Sequence, residues 1–153
     1  MANTQALCTS FKGELLVGHH NFGTGVIRAA TTADTFKAAL YLASATVNAA
    51  TTAYSSTNEV TGTGYTAGGV TVTFGTVPST SGTTAFVTPS ASISYSAVTL
   101  STSFDAVLIY NSTQSNKAIS VHTFGSQTIT AGTFTLTMPA NTTAAALIRL
   151  ATT

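Results

Sequence analysis

The stretch from Phe104 to Gly125, FDAVLIYNSTQSNKAISVHTFG, constrains the fold more than any other part of the chain. It consists of two strongly apolar runs separated by a polar segment, Asn111 to Asn116, which is rich in the residues that turns prefer. Such a pattern predicts a β-hairpin at the centre of an all-β domain. We expect Phe124-Gly125 to break the second arm and a further strand to run from Ser126 to Met138.

Other segments alternate apolar and polar residues with the period of two that is typical of strands. Val70 to Phe74 is the cleanest example. Phe36 to Leu42 is interpreted as a central strand, although its Ala, Leu and Lys content also suits a helix. Pro78 to Gly82 is interpreted as a loop, and Thr84 to Thr88 predicts a strand that Pro89 stops. A change of parity near Ala97 predicts a β-bulge or two strands meeting there. About eight short strands predict a single all-β domain with a β-sandwich or jelly-roll fold.

The N-terminal part of the chain has a different character. Residues 1–25 are expected to form an arm or a short helix, with residues 1–7 as an unstructured start or an arm. Residues 26–153 are expected to form the sandwich, beginning with a short strand from Val26 to Arg28. The spacing of Phe11 and Leu15 with Leu16 predicts a helix from Thr9 to Val17. Cys8 is the only cysteine, so it excludes an internal disulfide; we expect it to be buried, which fits folding in a reducing cytoplasm.

Charge is scarce throughout the sequence. Charged residues make up 6% of the chain, whereas about 25% is usual for a soluble domain. The five basic residues are too few and too scattered to neutralise a run of phosphates, so we do not expect a nucleic-acid partner. No apolar run approaches the roughly 20 residues of a membrane span, and the N-terminus lacks the pattern of a secretory signal. A hydroxyl-rich surface with little charge favours packing against copies of the same chain or against a partner.

The sequence offers no catalytic constellation, cofactor motif or metal-ligand set. His19 and His20 are adjacent, and adjacent residues on a strand point to opposite faces. The four acidic residues include no close pair of the kind that glycoside hydrolysis needs, so Glu59 and Asp105 are interpreted as hydrogen-bonded structural carboxylates. No GxSxG elbow is present. The glycine-rich GTGYTAGG precedes a strand rather than a helix, so it is interpreted as a turn. We therefore expect no enzymatic activity.

Several stretches together resemble a family of small structural proteins of tailed bacteriophages. They are SFKGELLVGHHNF, DTFKAALYLASATVNAATTAYSSTNEVTGTGYTAGGVTVT, VLIYNSTQSNKAISVHTFGSQTITAGTFTLTMP and the ending ALIRLA. The resemblance covers most of the chain and is weakest between Val77 and Ser103. It implies a virion component that assembles in the host cytoplasm, either a capsid decoration (cement) protein or a tail-associated protein. For a cement protein, the implied partners are the major capsid protein and further copies of this chain.

Two groups of side chains are candidates for contacts with such partners. The N-terminal segment through Phe22 is the predicted docking arm, and the loop from Thr46 to Gly69 is the predicted site of neighbour contacts. The candidate interface residues are Phe11, Leu15, Leu16, Phe22, Tyr54 and Tyr65. The alternative function is a tail-associated or fibre-like module that recognises host surface glycans, for which exposed loop tyrosines would be the natural stacking surface.

Overall fold

A computed structural model describes residues 3–8, 10–11, 15, 19–20, 22, 33–75 and 77–151. These residues form eight strands in two antiparallel sheets, which confirms the predicted all-β class and is consistent with a β-sandwich. The strands are β1 (Ala6–Leu7), β2 (Phe36–Leu42), β3 (Val70–Val72), β4 (Ser79–Ser81), β5 (Thr84–Val87), β6 (Ile93–Asn111), β7 (Lys117–Leu136) and β8 (Ile148–Ala151). Their order is β1-β7-β6-β2-β3 in the larger sheet and β4-β5-β8 in the smaller one. The jelly-roll variant stays a prediction.

The predicted central hairpin is confirmed. Strands β6 and β7 pair with each other, and the turn between them contains Ser115 and Asn116 with φ of 51° and 57°. Asn is one of the few residues other than glycine that adopts this left-handed conformation readily. Strand β2 pairs with β6 on one side and with β3 on the other, so its predicted central position is also confirmed. The residues of β6 from Ala106 to Asn111 are all buried, which makes this part of the hairpin the centre of the core.

The predicted break at Phe124-Gly125 is wrong. Strand β7 continues through both residues to Leu136, and β6 is correspondingly long. The hairpin accommodates the irregular positions as shifts of register rather than as chain breaks. One shift surrounds Ala97, which has a φ of 54°, so the predicted bulge there is confirmed. Another lies beside Ala131, which has a φ of 45°. Because bulges bend a strand and increase its twist without ending it, two long strands replace four short ones.

These bulges curl the hairpin onto the sheet to which it belongs. The Tyr95 hydroxyl donates a hydrogen bond to the carbonyl oxygen of Ala38 at 2.8 Å, although Ala38 pairs with Ile109 in the sheet. A straight strand would separate Tyr95 from Ile109 by about 46 Å. We call residues 93–100 and 129–136 the distal half of the hairpin, and residues 104–111 and 117–127, next to the turn, the proximal half. The distal half therefore folds back over the proximal half, and the rings of Phe104 and Phe134 meet at 5.1 Å.

The N-terminal residues that the structure describes pack on the rest of the chain. Ala6 and Leu7 pair with β7, although the sequence predicts an unstructured start or an arm at these positions. Cys8 is fully buried, as predicted. In the predicted helix the described residues Ser10, Phe11 and Leu15 are helical, and the remainder lies outside the described residues, as does the predicted strand from Val26 to Arg28. The segment Ser79–Ser81, expected to be a loop, forms β4.

The glycine-rich segment before β3 provides a test of this packing. Gly69 has a φ of 73°, and a Cβ atom added there would lie 1.6 Å from the carbonyl oxygen of Ala38. We expect Gly69→Ala to lower the free energy of unfolding by more than about 3 kcal/mol, because neither backbone can move without breaking the pairing of β2 and β3. Chemical denaturation measures this change.

The matched control is Gly125→Ala, because a Cβ atom at Gly125 would meet no other atom within 4 Å. That substitution should be neutral or stabilising by up to about 1 kcal/mol. Equal effects of the two substitutions would contradict the close approach of Gly69 to β2.

Candidate functional site

The most distinctive polar site in the described structure is a buried carboxylate surrounded by tyrosines. We call it the Glu59 cluster. It contains Glu59 and all five tyrosines of the chain, namely Tyr41, Tyr54, Tyr65, Tyr95 and Tyr110. The tyrosines come from β2, from β6 and from the loop between β2 and β3. The cluster therefore joins three parts of the chain that are distant in sequence.

Glu59 is 6% exposed and accepts three hydrogen bonds. The Tyr54 hydroxyl donates to Oε2 at 2.6 Å, the Tyr65 hydroxyl donates to Oε1 at 2.7 Å, and the backbone N–H of Gly68 donates to Oε1 at 2.8 Å. Glu59 also lies beside Tyr41 as an isolated bridge to β2. A buried carboxylate is tolerated only where donors replace its lost water, and these three donors do so.

The tyrosine rings extend the cluster into the core. Tyr54 stacks on Tyr110 with ring centroids 4.7 Å apart, and Tyr65 stacks on Tyr95 at 5.9 Å. The Tyr110 hydroxyl donates to the carbonyl oxygen of Gly68 at 2.8 Å, so the cluster binds this glycine through both of its backbone groups. These side chains supplement the backbone hydrogen bonds between the loop and the sheet, such as that from the Val60 N–H to the Leu40 carbonyl oxygen at 2.9 Å.

Burial keeps these tyrosines protonated. It raises the pKa of Tyr41 to about 12, even though the hydrogen bond that the backbone N–H of Ser55 donates to the Tyr41 hydroxyl opposes this rise. Burial first, and then the hydrogen bond to Glu59, raise the pKa of Tyr54 and of Tyr65. At neutral pH both hydroxyls are therefore donors to the carboxylate and not nucleophiles or bases. The arrangement therefore braces the fold, in the sense that it fixes the loop between β2 and β3 to the sheet.

The candidate docking side chains of the N-terminal segment lie inside the protein. Phe11 is 0% and Phe22 8% exposed, and Phe22 stacks on Phe36 of β2 at 4.8 Å. Leu15 is partly buried against the same core, and Leu16 lies outside the described residues. The rings of Phe11 and Phe22 are thus packed within this chain, and the docking role of the candidate residues stays a prediction.

Tyr54 and Tyr65, the candidate loop residues, meet in the Glu59 cluster and are partly buried. Glu59 itself was expected to be a hydrogen-bonded structural carboxylate, and this is confirmed. Asp105, expected to have the same role, accepts a hydrogen bond from the side-chain amide of Asn3. The sequence contained a signal for the cluster that interpretation missed: Glu59 is the only acidic residue between Asp34 and Asp105, and two tyrosines lie within six positions of it.

A cavity of about 500 Å³ lies between the two halves of the curled hairpin. Its walls include Ile93 and Leu136 from the distal half and Val107 from the proximal half. Ala145, Ala146, Leu147 and Arg149 line another side. His122 also lines it, and its Nε2 lies 2.9 Å from the Ser120 hydroxyl. Burial lowers the pKa of His122 to about 4, so the ring is neutral at neutral pH.

Other features bear on the possible chemistry. Within the described ranges, no group of three or more His, Cys, Asp or Glu side chains is placed to hold a metal ion. His20 is buried, and its Nδ1 accepts a hydrogen bond from the Asn111 amide at 3.1 Å. No helix in the described part of the chain is long and apolar enough to cross a membrane.

Comparison with known proteins finds no matching family model, no matching curated protein and no matching solved structure.

The Glu59 cluster makes a prediction about stability. We expect Glu59→Ala to lower the free energy of unfolding by about 3 kcal/mol, because three buried donors lose their acceptor. Glu59→Gln retains one carbonyl oxygen for Tyr65 and Gly68, so it should cost less, about 1 to 2 kcal/mol. Urea denaturation of the three proteins measures the order. A loss below about 0.5 kcal/mol for Glu59→Ala would contradict the bracing role.

The neutral His122 makes a prediction about pH. Its pKa is about 4 in the folded chain and about 6.5 in an unfolded chain. The unfolded state therefore binds more protons between these values, so His122 contributes full stability above pH 6.5 and loses it as the pH falls toward 4. Between pH 7.5 and 5 we expect a loss of about 2 kcal/mol from this residue.

The matched protein for this measurement is His122→Gln, studied by urea denaturation at both pH values. Its free energy of unfolding should fall by about 2 kcal/mol less than that of the unsubstituted chain between pH 7.5 and pH 5. Identical pH dependences of the two proteins would show that His122 is not held neutral by burial.

Proposed function

We propose that this chain is a non-enzymatic structural protein of a phage virion, a decoration (cement) protein that binds the assembled head as an oligomer. Its partner would be the major capsid protein. The proposal is supported by the resemblance of the sequence to small phage structural proteins, which covers most of the chain. It is also supported by the character of the described interior, where the buried polar groups brace the fold.

The observation that carries the proposal is the uncharged, hydroxyl-rich surface of the distal hairpin. Between Lys117 and Arg149, 31 consecutive residues contain no Lys, Arg, Asp or Glu. The exposed residues of the distal hairpin include Ser94 and Ser96 on β6 and Thr133 on β7. The central regions of protein interfaces are depleted of charged residues, because burying an unpaired charge is costly. Burial of short hydroxyl side chains also costs less conformational entropy than burial of Lys or Glu.

The mechanism would be stabilisation by selective binding. A protein that binds the assembled lattice, but not its dissociated subunits, lowers the free energy of the lattice. Each occupied site contributes about 2.7 kcal/mol when the free protein is at 100 times its Kd. Many copies on one head would add this contribution at every site. No chemical step is required, which suits a chain whose buried Glu59 accepts its hydrogen bonds from within the fold.

The glycan-binding alternative has less support. It depended on loop tyrosines that offer their rings to a sugar, but the Tyr54 and Tyr65 hydroxyls donate to Glu59. Their rings stack on Tyr110 and Tyr95. No observation favours this alternative, which stays an outcome of the experiment below.

The test is to mix the purified protein with phage heads that lack it and to image them by electron cryomicroscopy. We expect regular density at fixed lattice positions and a higher temperature for the release of DNA on heating, because binding stabilises the closed lattice. Heads without added protein are the reference. Density confined to a tail, or none on the particle, would contradict the cement function, and density on a tail would favour the alternative.

A pair of variants makes the test specific to the distal hairpin. Ser94→Glu combined with Ser96→Glu adds charge to the exposed face that carries the proposal, and should reduce binding to heads at least about tenfold. Thr71→Glu combined with Thr73→Glu adds the same charge to exposed positions on and beside β3, and should bind like the unsubstituted protein. Equal binding by all three proteins would place the contact surface elsewhere.

A further inference from the structure

The outer edge of β7 lacks a strand partner over most of its length. Strand β6 occupies one edge of β7 along the whole hairpin. On the other edge β1 pairs only with Ser120 and Val121, and Cys8 donates to the Ile119 carbonyl oxygen. Beyond Val121 no strand in the described part of the chain pairs with this edge. Its backbone N–H and C=O groups are a template for another strand.

One regular segment of this edge is long enough to pair. The bulge at Ala131 interrupts the edge, but Gly132 to Leu136 follows without a further shift on β7 until Pro139 prevents continuation. Five residues is an ordinary strand length. Thr133 and Thr135 are exposed on one face of this segment, whereas Phe134 and Leu136 are partly buried on the other.

The edge also lacks the usual protection against association. Natural edge strands carry charged residues, especially Lys, to prevent pairing with other chains. The segment from Gly132 to Leu136 lies in the middle of the 31 residues without a charge, so neither attraction to an oppositely charged partner nor repulsion between copies acts on it. This neutrality favours a partner that is equally neutral along its edge, and a second copy of the same segment meets that requirement.

We propose that residues 132–136 of β7 pair antiparallel with the same residues of a second copy about a two-fold axis at Phe134. This register places Thr133 opposite Thr135 of the second copy twice, and Thr–Thr pairs across strands are favourable. It also brings the two Phe134 rings together on the inner face and joins two five-stranded sheets into one. The biological role of this dimer rests on the proposed function, whereas the pairing is tested on the isolated protein, so the two can fail separately.

The experiment measures self-association of the purified chain by sedimentation velocity over a range of concentrations. We expect a reversible dimer, with slower amide hydrogen exchange in residues 132–136 at high concentration than at low concentration. A protein that stays monomeric at all concentrations would overturn the proposal, and so would a trimer, because a single two-fold edge contact closes at two copies.

Charge substitutions identify the interface without relying on loss of folding. Thr133→Lys combined with Thr135→Lys places lysines opposite lysines and should weaken the dimer at least about tenfold. The corresponding double substitution to Glu should do the same. An equimolar mixture of the Lys and Glu proteins should restore dimers as heterodimers, which unfolded proteins would not form.

The matched control is Thr71→Lys with Thr73→Lys, which adds the same charges at the opposite side of the sheet and should leave the dimer unchanged. Dimers that persist in the Thr133→Lys and Thr135→Lys protein would overturn the assigned edge. So would a mixture of Lys and Glu proteins that stays monomeric although circular dichroism shows both to be folded.

Discussion

The described structure depends on the burial of one carboxylate. Glu59 brings a negative charge into the core, and an unpaired buried charge would be costly. The hydroxyls of Tyr54 and Tyr65 and the N–H of Gly68 replace the water that the charge loses. Because these donors belong to the loop while the stacked partners Tyr95 and Tyr110 belong to β6, satisfying the charge also fixes the loop against the hairpin.

The curled hairpin depends on this loop in turn. Gly62 and Gly64 lie so close to β6 that an added Cβ atom would come within 2.1 Å and 2.3 Å of the carbonyl oxygens of Thr99 and Ala97. The loop therefore contacts the hairpin at the bulge where its distal half turns back. Tyr95, two residues before Ala97, contributes to the Glu59 cluster by stacking on Tyr65 and also donates to β2. The bend of the hairpin and the position of the loop thus stabilise each other.

Sequence patterns predicted the strands better than the way in which they pack. The apolar runs around Asn111 to Asn116 determine a hairpin locally, and the bulge at Ala97 left a visible change of parity. The continuity of β7 through Gly125 was missed because a glycine in a strand and a glycine in a turn look alike in sequence. Likewise, the apolar side chains of Phe11 and Phe22 indicate burial, but the pattern does not say whether the same chain or a partner covers them.

The Glu59 cluster could be predicted only in part, because its members meet through long-range pairing. Nothing local to Tyr95 or Tyr110 points to a carboxylate more than 30 positions earlier. The structure nevertheless shows how most of the few acidic residues are used. Glu59, Asp34 and Asp105 all accept hydrogen bonds from protein side chains, with Asp34 bound by Asn111 at 2.7 Å. Three of the four acidic residues thus form hydrogen bonds within the fold. The exposed surface of the distal hairpin is therefore solvated by hydroxyl groups instead of charges. Hydroxyls solvate a surface without making copies repel one another, so association is opposed less on this surface than on a charged one.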